Sequence, residues 1–241
     1  MSETVRLSLT AVRDLAERAL RAHGFSGAHA GAIADTMTAA ERDGSHHHGL
    51  FRVAFYAGAL ASGQASGDAE PVFEDLAPGV LRCDARHAFA PLALARGAAP
   101  LVERARSQGI AALAVNDAFH VGPLWIEVER LAAEGLAVLA FTAAIPYVAP
   151  HGGTKPVFGT NPMAFGWPRA DKPPLVFDQA SSVSARGAIQ IRMRDGETLP
   201  EGWAIDAAGR PTTDPAAALS GAQLPFGGAK GSAIAMIVEL L

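Results

Sequence analysis

Ile110-Ala111-Ala112-Leu113-Ala114-Val115 is the stretch that decides the fold class. It reads as a buried apolar run. Gly109, a helix stop, separates it from residues 91–108, whose pattern is helical. Upstream of that helix, Val80-Leu81-Arg82-Cys83 reads as a short strand. Downstream, residues 123–134 read as a helix closed by Gly135, and residues 136–142 as another buried strand. Strands alternating with helices in this order predict an α/β fold.

Working outward to the N-terminus, the pattern turns helical. Residues 8–23 form a first helix, with Val12, Leu15, Ala16, Ala19 and Leu20 as its apolar stripe and Gly24 as its stop. Ser26 caps a second helix reaching Arg42, with Ala30, Ile33, Ala34 and Met37 facing inward. Asp43-Gly44 breaks it. A third helix is expected over residues 47–60, its core face made by Leu50, Val53, Ala57 and Leu60. Residues 63–78 read as a connector.

Toward the C-terminus, residues 149–168 are dense in Gly and Pro and read as ordered loop. Residues 175–177 form a strand leading into Asp178, and residues 193–213 are polar and turn-rich. A last helix is expected over residues 232–241.

The bulk composition sets limits on function. With 49% apolar and 18% charged residues over 241 positions, the chain has the makeup of a globular protein with a sizeable core. A net charge of −4 and the lack of a basic stripe argue against nucleic acid. The single Cys83 excludes a disulfide framework and a cysteine-based zinc site. No apolar run reaches about 20 residues, so no membrane span is expected. The expected setting is the cytoplasm.

Two short runs carry the chemistry. In Ser45-His46-His47-His48-Gly49-Leu50-Phe51-Arg52, Arg52 lies four residues after His48. On a helix that spacing puts a proton donor and a guanidinium on one face, together with Phe55. An imidazole titrates near neutrality, and a guanidinium grips a carboxylate through two parallel hydrogen bonds. A small carboxylate substrate that gains or loses a proton fits both groups. Adjacent histidines on a helix point apart, so the triple His is not read as a metal site. In Ala118-Phe119-His120-Val121-Gly122, His120 ends a strand and opens a helix, a place where ligands commonly bind.

Further candidates lie downstream. Thr160, in Gly159-Thr160-Asn161-Pro162, offers a hydroxyl in a tight turn. Asp178, followed by Gln179-Ala180-Ser181-Ser182, reads either as a helix cap or as a grip on a cofactor. Arg186-Gly187 follows eight residues after Asp178. Gly227-Gly228-Ala229-Lys230-Gly231, just before the last helix, suits a phosphate through flexible backbone and one lysine. It lacks the spacing of a Walker A loop, and no G-x-G-x-x-G follows a strand, so a Rossmann dinucleotide site is not supported.

Taken in order, His48-Gly49…Arg52, His120-Val121-Gly122, Ala149-Pro150-His151-Gly152-Gly153, Gly159-Thr160-Asn161-Pro162, Asp178 with Ser181-Ser182, Leu199-Pro200-Glu201-Gly202-Trp203, Thr213-Asp214-Pro215 and Gly228-Ala229-Lys230-Gly231 resemble the malate/L-lactate dehydrogenase-like NAD(P)H oxidoreductases. That family is distinct from the Rossmann-type lactate and malate dehydrogenases. Within it, Glu41-Arg42-Asp43-Gly44 and the run from Asp178 to Gly187 look most like the Δ1-piperideine-2-carboxylate/Δ1-pyrroline-2-carboxylate reductases.

The resemblance implies an N-terminal helical region, residues 1–75, carrying the proton donor. It implies a non-Rossmann, largely antiparallel NAD(P)-binding sheet domain over residues 76–241, truncated at its C-terminal side. It implies NADPH-dependent reduction of a cyclic C=N beside a carboxylate, with NADH as the alternative cofactor, in a homodimer. His48 becomes the proton donor. Arg52 and Thr160 hold the carboxylate, with Arg186 and Gly187 nearby. His120, Val121, Gly122, Pro123, Leu124, Asp178, Gln179, Ala180, Lys230 and Gly231 contact the cofactor.

Two positions depart from the family pattern. His47 stands where a Ser usually relays charge to the catalytic His, and it is counted with His48 among the catalytic residues. Ala188, rather than an acid, follows Arg186-Gly187. Two other readings accompany the first: a 2-hydroxy acid dehydrogenase of malate, lactate or ureidoglycolate type, and a non-catalytic family relative.

Overall fold

A computed structural model describes residues 5–119 and 122–241. The chain forms two compact units that meet between Ile126 and Glu127.

The first unit opens with three helices. Ser8 and Ser26 cap α1 (Leu9–Ala22) and α2 (Gly27–Arg42), accepting hydrogen bonds from the backbone N–H groups of Ala11 and His29. Of the stripe predicted for α1, Val12, Ala16 and Leu20 are buried, Ala19 is half-buried and Leu15 is exposed; Ala16 and Leu20 meet Ala30, Ile33, Ala34 and Met37 of α2. Phe25, Tyr56 and Phe89 complete this core, with Phe119 packed against it. The rings of Tyr56 and Phe119 lie 4.8 Å and 5.3 Å from that of Phe89.

The third helix differs from expectation. In place of one helix from residue 47, there are two 3₁₀ turns, His46–His48 and Leu50–Arg52, followed by α3 (Val53–Ala61). The break is Gly49, whose ψ of −147° is far from helical. Residues 63–78 are also more than a connector, because β1 (Val72–Ala77) lies among them. It pairs antiparallel with β2 (Val80–Asp84). From β2 the chain crosses through α4 (Ala90–Gln108), which ends at left-handed Gly109, to β3 (Ala112–Asn116), parallel to β2. The 110–115 run is thus a strand, but not a fully buried one. Its residues alternate between exposed and half-buried, and Ile110 is 81% exposed.

The second unit centres on an antiparallel sheet of β4 (Val138–Phe141), β5 (Met163–Trp167) and β6 (Leu175–Gln179), preceded by α5 (Trp125–Ala133). β5 falls inside the stretch read as loop. β4 is likewise not buried on both faces, with Leu139 and Phe141 exposed. Register puts Val138 opposite Gly166, Ala140 opposite Ala164, and Ala164 and Gly166 opposite Asp178 and Val176. Directly paired residues share a face. That face receives α5. A Cβ on Gly166 would sit 2.7 Å from the Val128 carbonyl oxygen, so only glycine lets the helix backbone come this close.

After β6 come α6 (Arg186–Asp195), β7 (Ala204–Ile205), β8 (Pro211–Thr212), α7 (Pro215–Ser220), β9 (Ala222–Gln223) and α8 (Ala229–Leu240). The short strands pair in the order β8-β7-β9. Asp178 therefore caps no helix. It lies within β6, and the N-cap of α6 is Ala185. Among the described residues, no helix is long and apolar enough to cross a membrane.

Candidate active site

In the first unit, the candidate residues cluster where Gly49 separates the two 3₁₀ turns. Glu41, at the end of α2, holds both turns. Its Oε2 accepts from His46 Nδ1 at 2.6 Å and its Oε1 accepts from the backbone N–H of Leu50 at 2.8 Å. A Cβ at Gly49 would lie 2.0 Å from that Oε1, so the carboxylate occupies the space a side chain would need. The three histidines then separate. His46 turns to Glu41 and is exposed, while the rings of His47 and His48 lie side by side with centroids 4.3 Å apart.

The helical-face relation between His48 and Arg52 does not exist, because each sits on its own 3₁₀ turn. A different bond brings Arg52 to the pair: its Nε donates to the His47 carbonyl oxygen at 2.7 Å. Arg52 is only 9% exposed, and its guanidinium lies 5.6 Å from the ring centroids of both Phe51 and Phe55. Burial lowers the Arg52 pKa, yet a guanidinium stays charged in a protein. Burial also lowers the His47 pKa, and the charges of Arg52 and His46 push it the same way. All three effects favour the neutral imidazole at His47.

Further along, Trp125 Nε1 donates to Asp43 at 3.0 Å, which ties the start of α5 to the end of α2. Pro123 and Leu124 are buried just before α5, and Gly122 is half-buried. His120 and Val121 lie outside the described residues.

In the second unit, Thr160 is half-buried and fixed through its neighbour. Asn161 is fully buried with a φ of +32°, a conformation asparagine tolerates better than most residues. Its Nδ2 donates to the Ala235 carbonyl (2.9 Å) and to Glu239 (2.8 Å), and its Oδ1 accepts from the Ala144 N–H (3.0 Å). Ser181 joins the same knot. Its N–H donates to Thr160 O, its hydroxyl donates to Asn161 O, and its carbonyl accepts from the Phe226 N–H. The end of β6, the Thr160 turn and the entry to α8 are thereby fixed to one another.

Asp178 and Ala180 are half-buried, whereas Gln179 is exposed. Arg186 and the buried Gly187 open α6. The Arg186 guanidinium lies 3.7 Å from the Tyr147 ring centroid, and its Nη2 donates to the Leu219 carbonyl at 3.0 Å. Its Nη1 is buried with no hydrogen-bond partner among the described residues. Burial lowers this arginine's pKa as well.

Lys230 is exposed in the first turn of α8, and Gly231 is buried behind it. The backbone N–H groups of Lys230, Gly231 and Ser232 already donate to the carbonyls of Gly227, Phe226 and Gly228, so it is the lysine side chain at this helix start that fits the phosphate part of a nicotinamide dinucleotide. Among the described residues, no group of three His, Cys, Asp or Glu is placed to hold a metal ion.

Sequence reading gives no role to Tyr147, Glu127 or Asn161. Tyr147 and Glu127 carry no local signal, since the partners that define them are distant in the chain. Asn161 had one, because an asparagine in a Gly-Thr-Asn-Pro turn is suited to positive φ.

Helices with one mixed and two antiparallel sheets make this a non-Rossmann α/β protein, and its relatives place it among the oxidoreductases. The chain belongs to the malate/L-lactate dehydrogenase family, which it matches over residues 7–241. It is 54% identical over 237 residues to the Δ1-pyrroline-2-carboxylate/Δ1-piperideine-2-carboxylate reductase of Pseudomonas aeruginosa, covering 98% of this chain and 71% of that protein. It is 50% identical over 241 residues to the Δ1-pyrroline-2-carboxylate reductase of Ancylobacter novellus, covering 100% of this chain and 71% of the relative. The crystal structure of Δ1-piperideine-2-carboxylate reductase from Pseudomonas syringae pvar. tomato superposes with a TM-score of 0.94 at 46% identity, over 99% of this chain and 72% of that one. Sulfolactate dehydrogenase from Methanocaldococcus jannaschii shares the fold at a TM-score of 0.82 and 30% identity, over 97% and 68% of the two chains.

Proposed function

We propose that this chain reduces the C=N bond of the cyclic imino acids Δ1-piperideine-2-carboxylate and Δ1-pyrroline-2-carboxylate, giving L-pipecolate and L-proline, with NADPH as reductant. The observation that carries this is the 54% identity, across 98% of the chain, to a reductase of both substrates. The reaction adds one hydride to the carbon beside the carboxylate and one proton to the ring nitrogen. A bound nicotinamide supplies the hydride.

The chain's own residues do the rest. His48 delivers the proton to nitrogen, which suits an imidazole at neutral pH. His47 orients it. Arg52 takes the carboxylate, supported by a guanidinium that aromatic rings and the His47 carbonyl already hold in place. Thr160 adds a hydroxyl to the carboxylate from a turn locked by Asn161. Arg186 and Gly187 border the substrate, and the buried Nη1 of Arg186 is a donor that a carboxylate would satisfy. Residues 120–124, Asp178, Gln179, Ala180, Lys230 and Gly231 hold the cofactor, the lysine through a phosphate. The family resemblance supports a cytoplasmic homodimer built from a helical region (1–75) and a cofactor domain (76–241).

The test is to follow the loss of NADPH absorbance with each imino acid and with pyruvate. Consumption with the imino acids is expected. Consumption with pyruvate alone overturns the proposal.

A further inference from the structure

Glu127 lies in the first turn of α5, where that helix packs on the antiparallel sheet. The next residue, Val128, presents the carbonyl that approaches Gly166, and Asp178 lies on the same sheet face, one pair removed along β5 and β6. The Glu127 Oε2 is buried and has no hydrogen-bond partner among the described residues. Two carboxyl groups thus share one side of the sheet, one of them half-buried with an oxygen shut off from water. Bringing both there ionised costs desolvation as well as like-charge repulsion.

We propose that Glu127 is a protonated positioning residue for Asp178, leaving Asp178 as the single negative charge at the end of β6, and that loss of the Glu127 proton weakens cofactor binding. The part concerning the cofactor rests on the functional reading above, in which Asp178 contacts the nicotinamide dinucleotide. The electrostatics agree with the geometry. Burial first, and then the Asp178 charge, raise the Glu127 pKa to about 7. The opposing contributions are a hydrogen bond to its own backbone and the charge of Arg130, one turn along α5. Above neutrality the proton leaves, and a second negative charge appears beside Asp178. A dinucleotide carrying phosphates binds less well to such a site.

The proton and the linkage are tested separately. In protein labelled with ¹³C at glutamate side-chain carboxyls, one resonance is expected to titrate near neutrality. It should vanish in Glu127→Gln and move toward the ordinary carboxylate range in Asp178→Asn. Titration of Glu127 in the ordinary range overturns the proposal without touching the reductase reading.

The second measurement is the Kd of NADPH, and of NADH, which lacks the titrating 2′-phosphate, between about pH 6 and 8.5. For the native chain, both are expected to rise about tenfold across this range through the single linked proton. In Glu127→Gln, the neutral isostere, the NADH Kd should stay flat. An equal rise in that variant overturns the linkage. Absence of binding at every pH overturns the cofactor reading and the linkage with it, while the carbon titration still decides where the proton is.

Discussion

The Nε of Arg52 donates to the backbone carbonyl of His47 at 2.7 Å, so the residue that would anchor the substrate also fixes the main chain just before His48. Orientation and chemistry are therefore coupled in this turn. Lysine keeps the charge but loses the planar fork and the stacking on Phe51 and Phe55. Arg52→Lys should lower kcat/KM for the imino acids by roughly 10²-fold. Against Δ1-piperideine, which has no carboxylate, the same variant should lose far less. An equal loss on both substrates would rule out carboxylate anchoring.

Proton delivery is tested at His48 and His47 together. Removing a positioned general acid commonly costs about 10²- to 10⁴-fold in rate. His48→Asn should show such a drop in kcat with NADPH affinity unchanged. His47→Ser restores the hydroxyl usual at this position in the family, and kcat is expected to rise. Full activity in His48→Asn, with no response to His47→Ser, would remove both residues from the mechanism.

The helices were largely legible because their signals are local. Ser26 caps as read, Ser8 caps the helix read as starting there, and apart from exposed Leu15 the apolar stripes of α1 and α2 meet as their spacing predicts. The strands were less so. β1 and β5 lie in stretches rich in glycine, proline and small residues, where only pairing with a neighbouring strand reveals extended backbone. The apolar runs at 110–115 and 136–142 looked buried, yet each exposes alternate residues. Candidate site residues are legible by type, not by geometry. His48 and Arg52 were singled out by a helical spacing that Gly49 abolishes, since the Glu41 carboxylate occupies the space where a side chain at that position would go. Asn161 acts through Ala144, Ala235 and Glu239, contacts that no local pattern encodes.

Asn161 ties three segments through one buried amide. Asn161→Ala strands the Ala144 N–H and removes the amide's bonds to Glu239 and to the Ala235 carbonyl, which keeps its helical partner; a buried group left unpaired costs about 1–3 kcal/mol. Denaturant unfolding should show a loss of about 2–4 kcal/mol in all. Asn161→Gly should lose somewhat less, because glycine relaxes the φ of +32° without restoring the hydrogen bonds. If both variants unfold like the native chain, the amide does not organise the Thr160 turn.

Glu127 also makes a prediction about stability, independent of any ligand. Its folded pKa is raised from the ordinary carboxylate range to about 7, so the folded chain binds more protons than the unfolded chain between those values. Stability from this group is full below about pH 4.5 and declines as pH rises to 7, the reverse of a salt-bridged carboxylate. The decline is on the order of 1–3 kcal/mol, after allowing for partial exposure of the side chain. Glutamine cannot ionise, so Glu127→Gln should be more stable than the native chain at pH 8 and nearly equal to it at about pH 4.5. At about 2–4 °C of melting temperature per kcal/mol, the gap at pH 8 is measurable by differential scanning calorimetry. A gap that stays constant with pH would mean that Glu127 is ionised throughout and that its burial is tolerated by other means.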